Sequence, residues 1–97
     1  MYIKNENIVA RIIHGSNYLI DITQNYVDEK SSLYEINDIG MFVWRCIDGK
    51  SDASEITKKL IAQLTDEVPY DVVYEDIIDF IKTLHKQGFI IEGSSNT

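Results

Sequence analysis

In the stretch Ser32-Leu33-Tyr34-Glu35-Ile36-Asn37-Asp38-Ile39-Gly40, the sequence pattern changes from that of a strand to that of a helix. Residues 32–36 predict a short strand. From Asn37 onward the apolar residues follow helical spacing, and Asn37 is a favourable N-cap with Asp38 in the first turn. We expect one buried helical stripe, made of Ile39, Phe42, Val43, Cys46 and Ile47. The stretch therefore separates a β-rich first third from a helical remainder.

Two more strands are predicted before this stretch. Residues 8–13 are rich in β-branched side chains, and residues 18–23 alternate between apolar and polar. We expect one face of the second strand to carry Tyr18, Ile20 and Ile22. The turn cluster 14–17 connects the two strands. Three consecutive strands with short connections predict an antiparallel meander with one solvated face.

Two more helices are predicted after it. The second begins at Ser51 or Asp52, and Glu55 stands where a capping box requires it. The third opens at Pro69 and ends at Gly88, and an extended apolar segment follows. The fold class is therefore α+β and winged helix-turn-helix-like, with a three-stranded antiparallel sheet followed by three helices. We expect one domain over residues 1–92 and a disordered tail over 93–97.

The charge balance restricts the partners. Sixteen acids against nine bases give a net charge of −7, which argues against binding to nucleic acid or to an anionic membrane. No apolar run is long enough to span a bilayer, and the first residues do not have the pattern of a secretory signal. The single cysteine rules out an intramolecular disulfide. A cytoplasmic protein is expected.

The residues that could carry catalysis are few and scattered. His14 and His85 do not stand in a metal-ligand spacing, so no metal is expected at either. Cys46 lies on the apolar stripe of the first helix, where it is expected to be a small buried hydrophobe. No glycine-rich phosphate loop is present. We therefore expect a non-enzymatic protein that needs no cofactor.

The third helix carries more apolar surface than one buried stripe needs. One row consists of Val73, Ile77, Phe80 and Leu84, and a second row consists of Tyr74, Ile78, Ile81 and His85. Together they exceed the roughly 100° arc that covering a sheet requires. The second row either packs under neighbouring elements or lines a groove. The third strand lies at a sheet edge, where an extended peptide gains main-chain hydrogen bonds.

A winged helix also raises the possibility of DNA binding. A recognition helix presents basic or amide side chains to bases and phosphates. The first half of the third helix instead presents acids, namely Asp71, Glu75, Asp76 and Asp79. The phosphate backbone would repel these acids, so DNA binding is disfavoured. A winged-helix transcriptional regulator, or another protein-interaction module, is kept as the alternative.

Four short motifs in order resemble the PqqD-like family, the precursor-peptide recognition elements of ribosomal peptide-modification pathways. They are Ile36-Asn37-Asp38-Ile39-Gly40-Met41-Phe42-Val43-Trp44 with Ile47-Asp48-Gly49, Glu55-Ile56-Thr57-Lys58-Lys59-Leu60, Asp76-Ile77-Ile78-Asp79-Phe80-Ile81-Lys82-Thr83-Leu84, and Gly88-Phe89-Ile90. The resemblance covers residues 8–91. Ile36 and Phe89 stand where the family usually has Leu, and both are apolar exchanges.

The resemblance implies a free-standing recognition element. Such domains bind the leader segment of a precursor peptide as an added strand and present it to a maturation enzyme, a leader peptidase or a radical SAM enzyme. The implied strand contacts are Ser32, Leu33, Tyr34 and Glu35. The implied helix contacts are Tyr74, Ile78, Ile81, Lys82 and His85. The framework residues would be Asn37, Gly40, Trp44 and Asp76.

Two expectations follow from this assignment. Acids on or near the groove, among them Glu35 and Asp76, predict a leader with a Lys or Arg beside its apolar anchors. Asp in place of Ile78 or Ile81 should abolish leader binding and leave the fold largely intact. The class of peptide product, whether a lasso peptide, a quinone cofactor or a thioether peptide, stays open at this point.

Overall fold

The computed structural model describes residues 1–23 and 33–93. Its elements are β1 (Tyr2–Lys4), β2 (Ile8–Ile13), β3 (Ser16–Asp21), β4 (Leu33–Ile36), α1 (Asp38–Cys46), α2 (Ala53–Gln63), α3 (Tyr70–Lys86) and β5 (Ile90–Glu92). The strands β2, β3 and β4 form an antiparallel sheet in that order, while β1 pairs with β5 in a separate two-stranded ribbon. The predicted α+β order of three strands and three helices is confirmed, and β1 is an addition to it.

The β2–β3 hairpin is tighter than predicted. Ile13 pairs with Ser16, and the two turn residues His14 and Gly15 have φ values of 51° and 82°. Positive φ at both turn residues is the backbone conformation that a two-residue hairpin turn favours. As a result β3 starts at Ser16, and its buried side chains are Asn17 and Leu19. Tyr18 and Ile20 share the other face, as their alternation predicts, whereas Ile22 lies just beyond the end of β3.

The corner between β4 and α1 is held by side chains. Asn37 caps α1 as predicted, since its Oδ1 accepts a hydrogen bond from the Gly40 N–H at 2.7 Å. The buried Asn17 amide donates to the Asp38 carboxylate at 2.8 Å, which links β3 to the first turn of α1. These bonds set the direction in which α1 leaves the sheet edge.

The buried side of α1 differs from the expected stripe. Met41, Val43 and Trp44 are buried, as is Ile47 just after the helix, but Ile39 is 50% exposed. Trp44 is thus packed as expected, and the Nζ of Lys4 lies 5.4 Å from its ring centroid. The expectation that Ile39 is buried is wrong: α1 packs on β4 and α2, and Ile39 instead lines a cavity that is open to solvent.

The connection from α1 to α2 depends on an exposed carboxylate. Asp48 accepts hydrogen bonds from the backbone N–H groups of Lys50 and Ser51, both at 2.8 Å, and they hold the pKa of Asp48 below its ordinary value. Asp52 and Glu55 then form the predicted capping box of α2.

The end of α3 is tied to the start of the chain. Phe89 N–H bonds to the Leu84 carbonyl, and Asn5 bonds to Gly88 and Phe89 through its side chain and its backbone. The β1–β5 pairing continues this connection to Gly93, whose N–H donates to the Met1 carbonyl at 2.8 Å. Of the tail predicted to be disordered, residues 94–97 lie outside the described residues.

The helices close the core against one side of the three-stranded sheet. α2 packs along α3, and the fully buried side chains include Leu19 of β3, Leu84 of α3 and Ile90 of β5. Over residues 1–23 and 33–93, no helix is long and apolar enough to cross a membrane.

Candidate peptide-binding site

Strand β4 forms one edge of the three-stranded sheet. Its partner is β3, and within the described part of the chain nothing pairs with its other side. Leu33 and Glu35 are exposed, whereas Tyr34 is half-buried and Ile36 is buried. Three of the predicted strand contacts, Leu33, Tyr34 and Glu35, thus lie on an open edge. The fourth, Ser32, lies outside the described residues.

The inner side of β4 faces a particular part of α3 and its C-terminal turn. The Tyr34 ring meets the Phe89 ring edge-on, with centroids 5.0 Å apart. Near the other end of β4, a side chain added at Gly40 would come within 3.1 Å of Phe80 Cζ and 3.3 Å of Ile36 Cβ. Phe80 therefore packs over Gly40 and beside the end of β4. Gly40 is a framework residue, as predicted, because its missing side chain admits this ring.

The predicted helix contacts lie on a different side of α3. Ile78 and Ile81 line a cavity of about 260 Å³ together with Tyr2 of β1 and the start of α2. The ring of His85 lies 4.9 Å from that of Tyr2. Tyr74 stacks on Tyr70, with ring centroids 5.7 Å apart. The described contacts of this row are therefore with β1, with α2 and within α3.

The fifth predicted helix residue, Lys82, is exposed. The two halves of the predicted site are thus not brought together by any described side-chain contact. One reason is β1, which pairs with β5 and whose Tyr2 contacts His85 and lines the cavity with Ile78 and Ile81. A three-residue strand leaves little signal in a sequence, and its partner is at the far end of the chain. The aromatic and β-branched pair Tyr2-Ile3 is the one local sign of it.

A larger cavity of about 560 Å³ begins directly after β4. Asn37 and Gly40 line it at that end. Its apolar walls come from all three helices and include Val43, Leu60, Leu64, Val73, Ile77 and Phe80. Two further lining residues leave half of their surface open to solvent, Ile39 at 50% and Val72 at 55%. The sequence pattern does not predict this cavity, because helical spacing places Ile39 and Phe80 in the main apolar rows of their helices.

The electrostatics of this cavity depend on Asp76. It is the one charged side chain among the described residues that line the cavity, and its carboxylate has no hydrogen bond or ion pair with a described residue. Glu35 on the β4 edge likewise has no such partner among the described residues. The cavity thus combines apolar walls with one unpaired negative charge.

The described residues offer few groups suited to nucleophilic catalysis or metal binding. Burial raises the pKa of the Cys46 thiol above its ordinary value, although the nearby Lys59 ammonium acts in the opposite direction. A thiol of this kind carries little thiolate at neutral pH. The described residues contain no group of three or more His, Cys, Asp or Glu side chains placed to hold a metal ion.

Two solved structures have the same fold. One is TbiB1 in complex with the TbiA(beta) leader peptide, which is 17% identical with a TM-score of 0.70 over 97% of this chain and 99% of that one. The other is lasso peptide synthetase B1 complexed with the leader peptide, which is 13% identical with a TM-score of 0.72 over 93% of this chain and 96% of that one. At such identities the likeness concerns the fold.

The sequence itself supplies the family. A comparison with curated proteins found no matching relative. Residues 26–90 match the family model described as coenzyme PQQ synthesis protein D, PqqD. That match spans more than half of the chain and includes β4, the three helices and the cavity between them. This protein therefore belongs to the PqqD family.

Proposed function

We propose that this protein is a non-catalytic binding protein that recognises the leader segment of a ribosomally made precursor peptide. The leader adds as a strand to β4, and the protein delivers it to a maturation enzyme. The observation that carries the proposal is the open β4 edge in a chain of the PqqD family. It is supported by the shared fold of two proteins that are each seen in complex with a leader peptide.

Strand addition suits the chemistry of this edge. An extended peptide satisfies the unpaired N–H and C=O groups of β4, which contributes affinity that depends little on sequence. Alternate side chains of the added strand then point to opposite faces of the sheet. One set points toward the side of Tyr34 and Phe80, and the other toward the side of Leu33 and Glu35. Specificity therefore comes from the first set, which meets apolar surface.

The contacts described above favour one side of α3 for the leader. Phe80 packs beside the end of β4, and Thr83 and Gln87 share its face because they follow at helical spacing. We assign the helix side of the leader site to this face. The row predicted from the sequence, Tyr74, Ile78, Ile81 and His85 with Lys82, is the competing assignment, and Tyr2 of β1 already packs against part of it.

The maturation enzyme follows from the product class. The two structural neighbours bind leader peptides, and one is named a lasso peptide synthetase. By this analogy a lasso pathway, with a leader peptidase as partner, is the assignment we favour over a quinone or a radical SAM pathway.

The strand-addition mode can be tested with peptides alone. A random-peptide library displayed on phage is panned on the immobilised full chain, and a tight binder is resynthesised with single N-methyl groups along its backbone. Methylation of alternate amides should abolish binding and methylation of the others should not, because an edge-paired strand turns every second N–H toward its neighbour. Amides of residues 33–36 should gain protection from hydrogen exchange on binding. A chain that selects no peptide, or tolerance of every N-methyl group, would overturn the proposal.

The alternative function is a winged-helix regulator that binds DNA. The first half of α3 carries exposed acids, among them Asp71, Glu75 and Asp76, which the phosphate backbone would repel. Titration of a labelled DNA duplex at low salt, followed by fluorescence anisotropy, should show no binding. Saturable binding under these conditions would favour the alternative.

A further inference from the structure

The larger cavity is continuous with the β4 edge. Asn37 follows the last residue of β4 and lines the cavity, as does Gly40 one turn later. An extended peptide advances about 3.3 Å per residue, so a strand paired with β4 reaches the cavity within a few residues past Ile36. A peptide that uses the β4 edge therefore passes the mouth of this cavity.

The shape and walls of the cavity suit side chains rather than water. Its volume of about 560 Å³ lies in the range of ligand pockets and exceeds that of a single side chain. Ile39 and Val72 line it while half of their surface faces solvent. Large apolar side chains that are exposed around a concave surface are typical of a binding site.

Asp76 adds a preference for charge. Asp76 is exposed and lines the cavity beside apolar residues, and its carboxylate has no partner within the described residues. The chain as a whole carries a net charge of −7, so anionic peptides are repelled. A Lys or Arg side chain suits this cavity best, because its apolar stem can lie along the apolar walls while its charged end pairs with the Asp76 carboxylate.

We infer that this cavity is an anchor pocket of the leader site, and that it takes an apolar side chain together with a neighbouring Lys or Arg that pairs with Asp76. The inference rests on the proposed function and specifies its substrate: a leader with an apolar–cationic pair just beyond the segment bound to β4. Asp76, which the sequence analysis assigned to the framework, is then a specificity-determining residue.

The test uses the same displayed library on three forms of the full chain: wild type, Asp76→Asn and Glu75→Gln. Glu75 is the matched control, because it is an exposed acid on the same helix and does not line the cavity. Peptides selected by wild type and by Glu75→Gln should be enriched in Lys or Arg next to an apolar residue, and Asp76→Asn should lose that enrichment. For one selected peptide, replacing its Lys or Arg by Met should weaken binding about threefold to fivefold in wild type and not in Asp76→Asn.

A second pair of variants tests the apolar walls. Val72→Asn places an uncharged polar group in the cavity mouth and should weaken peptide binding several-fold, because it removes apolar surface without adding a charge that would attract the cation. Ile12→Asn makes the same change at a side chain that is 60% exposed on β2, at the opposite edge of the sheet from β4, and should leave binding unchanged.

The outcomes separate the two proposals. If wild type selects no peptide, the proposed function fails. If it selects peptides that pass the N-methyl test but carry no cationic preference, or keep that preference in Asp76→Asn, the anchor pocket is overturned while strand addition stands. Equal affinity of Val72→Asn and wild type for the selected peptide would also overturn it.

Discussion

The two sides of α3 carry similar apolar surface and meet different surroundings. On one side, Ile78 and Ile81 line a cavity of about 260 Å³ together with Tyr2 of β1. On the other, Val72 and Phe80 line a cavity of about 560 Å³ that begins where β4 ends. With 3.6 residues per turn, these two sets cannot share a face of the helix.

The comparison shows what an excess of apolar surface on a helix can and cannot predict. Two adjacent apolar rows predict that α3 is covered on more than one side, and they do not predict which element covers each row. On the side of Ile78 and Ile81 lies Tyr2 of β1, which pairing with β5 holds in place. The side of Phe80 adjoins an open sheet edge. Four predictions test this contrast, in order of expected effect.

The largest effect is expected for Ile81→Asp. Ile81 is 8% exposed and belongs to the core, so an unpaired carboxylate there should destabilise the fold by about 3 kcal/mol or more. This corrects the expectation that Asp at position 81 leaves the fold intact. Urea unfolding followed by circular dichroism measures the change, and Lys82→Asp at the neighbouring exposed position is the control. A variant as stable as wild type would place this row at the surface.

The second prediction compares two half-buried apolar residues on the two sides of α3. Phe80→Ala should weaken binding of a library-selected peptide roughly tenfold, because its ring lies beside the end of β4. Ile78→Ala should change the affinity less than twofold, because its side chain lines the cavity under β1. Fluorescence anisotropy measures both, after circular dichroism has shown that each variant is folded. The reverse order of effects would restore the row predicted from the sequence.

The third prediction concerns the contact between α1 and α3. Gly40→Ala should destabilise the protein by about 1 kcal/mol, because the new methyl group would lie 3.1 Å from Phe80 Cζ and 3.3 Å from Ile36 Cβ. Helix propensity alone predicts a stabilisation of similar size. Thermal unfolding decides the sign, and a higher melting temperature would show that Phe80 does not pack on Gly40.

The smallest effect is expected at Cys46, the last residue of α1. Burial raises the pKa of the Cys46 thiol, so the thiolate fraction at neutral pH is lower than in an exposed cysteine. Reaction with a thiol reagent at neutral pH should be several-fold slower in the native protein than in urea, and should accelerate as the pH rises toward the raised pKa. Equal native and denatured rates, measured by absorbance, would indicate that this region opens freely.

Much of the fold follows from local sequence signals. Asn37 caps α1, and Asp52 with Glu55 caps α2, because each hydrogen bond joins residues three apart in the chain. β3 begins at Ser16, two residues earlier than predicted, because the hairpin turn contains two residues rather than four. Ile39 fits a helical stripe by spacing, and only the position of its neighbours leaves it exposed.

The features of the candidate peptide-binding site also divide into those set by the sequence and those set by the tertiary structure. The sequence by itself determined that β4 would be an edge strand, that the chain is acidic, and that α3 carries two apolar rows, because these properties belong to short segments or to composition. The tertiary structure alone decided which row adjoins that edge and that Asp76 lies in a cavity. Those features depend on β1 meeting β5 and on Phe80 meeting Gly40, contacts between segments far apart in the chain that no local pattern encodes.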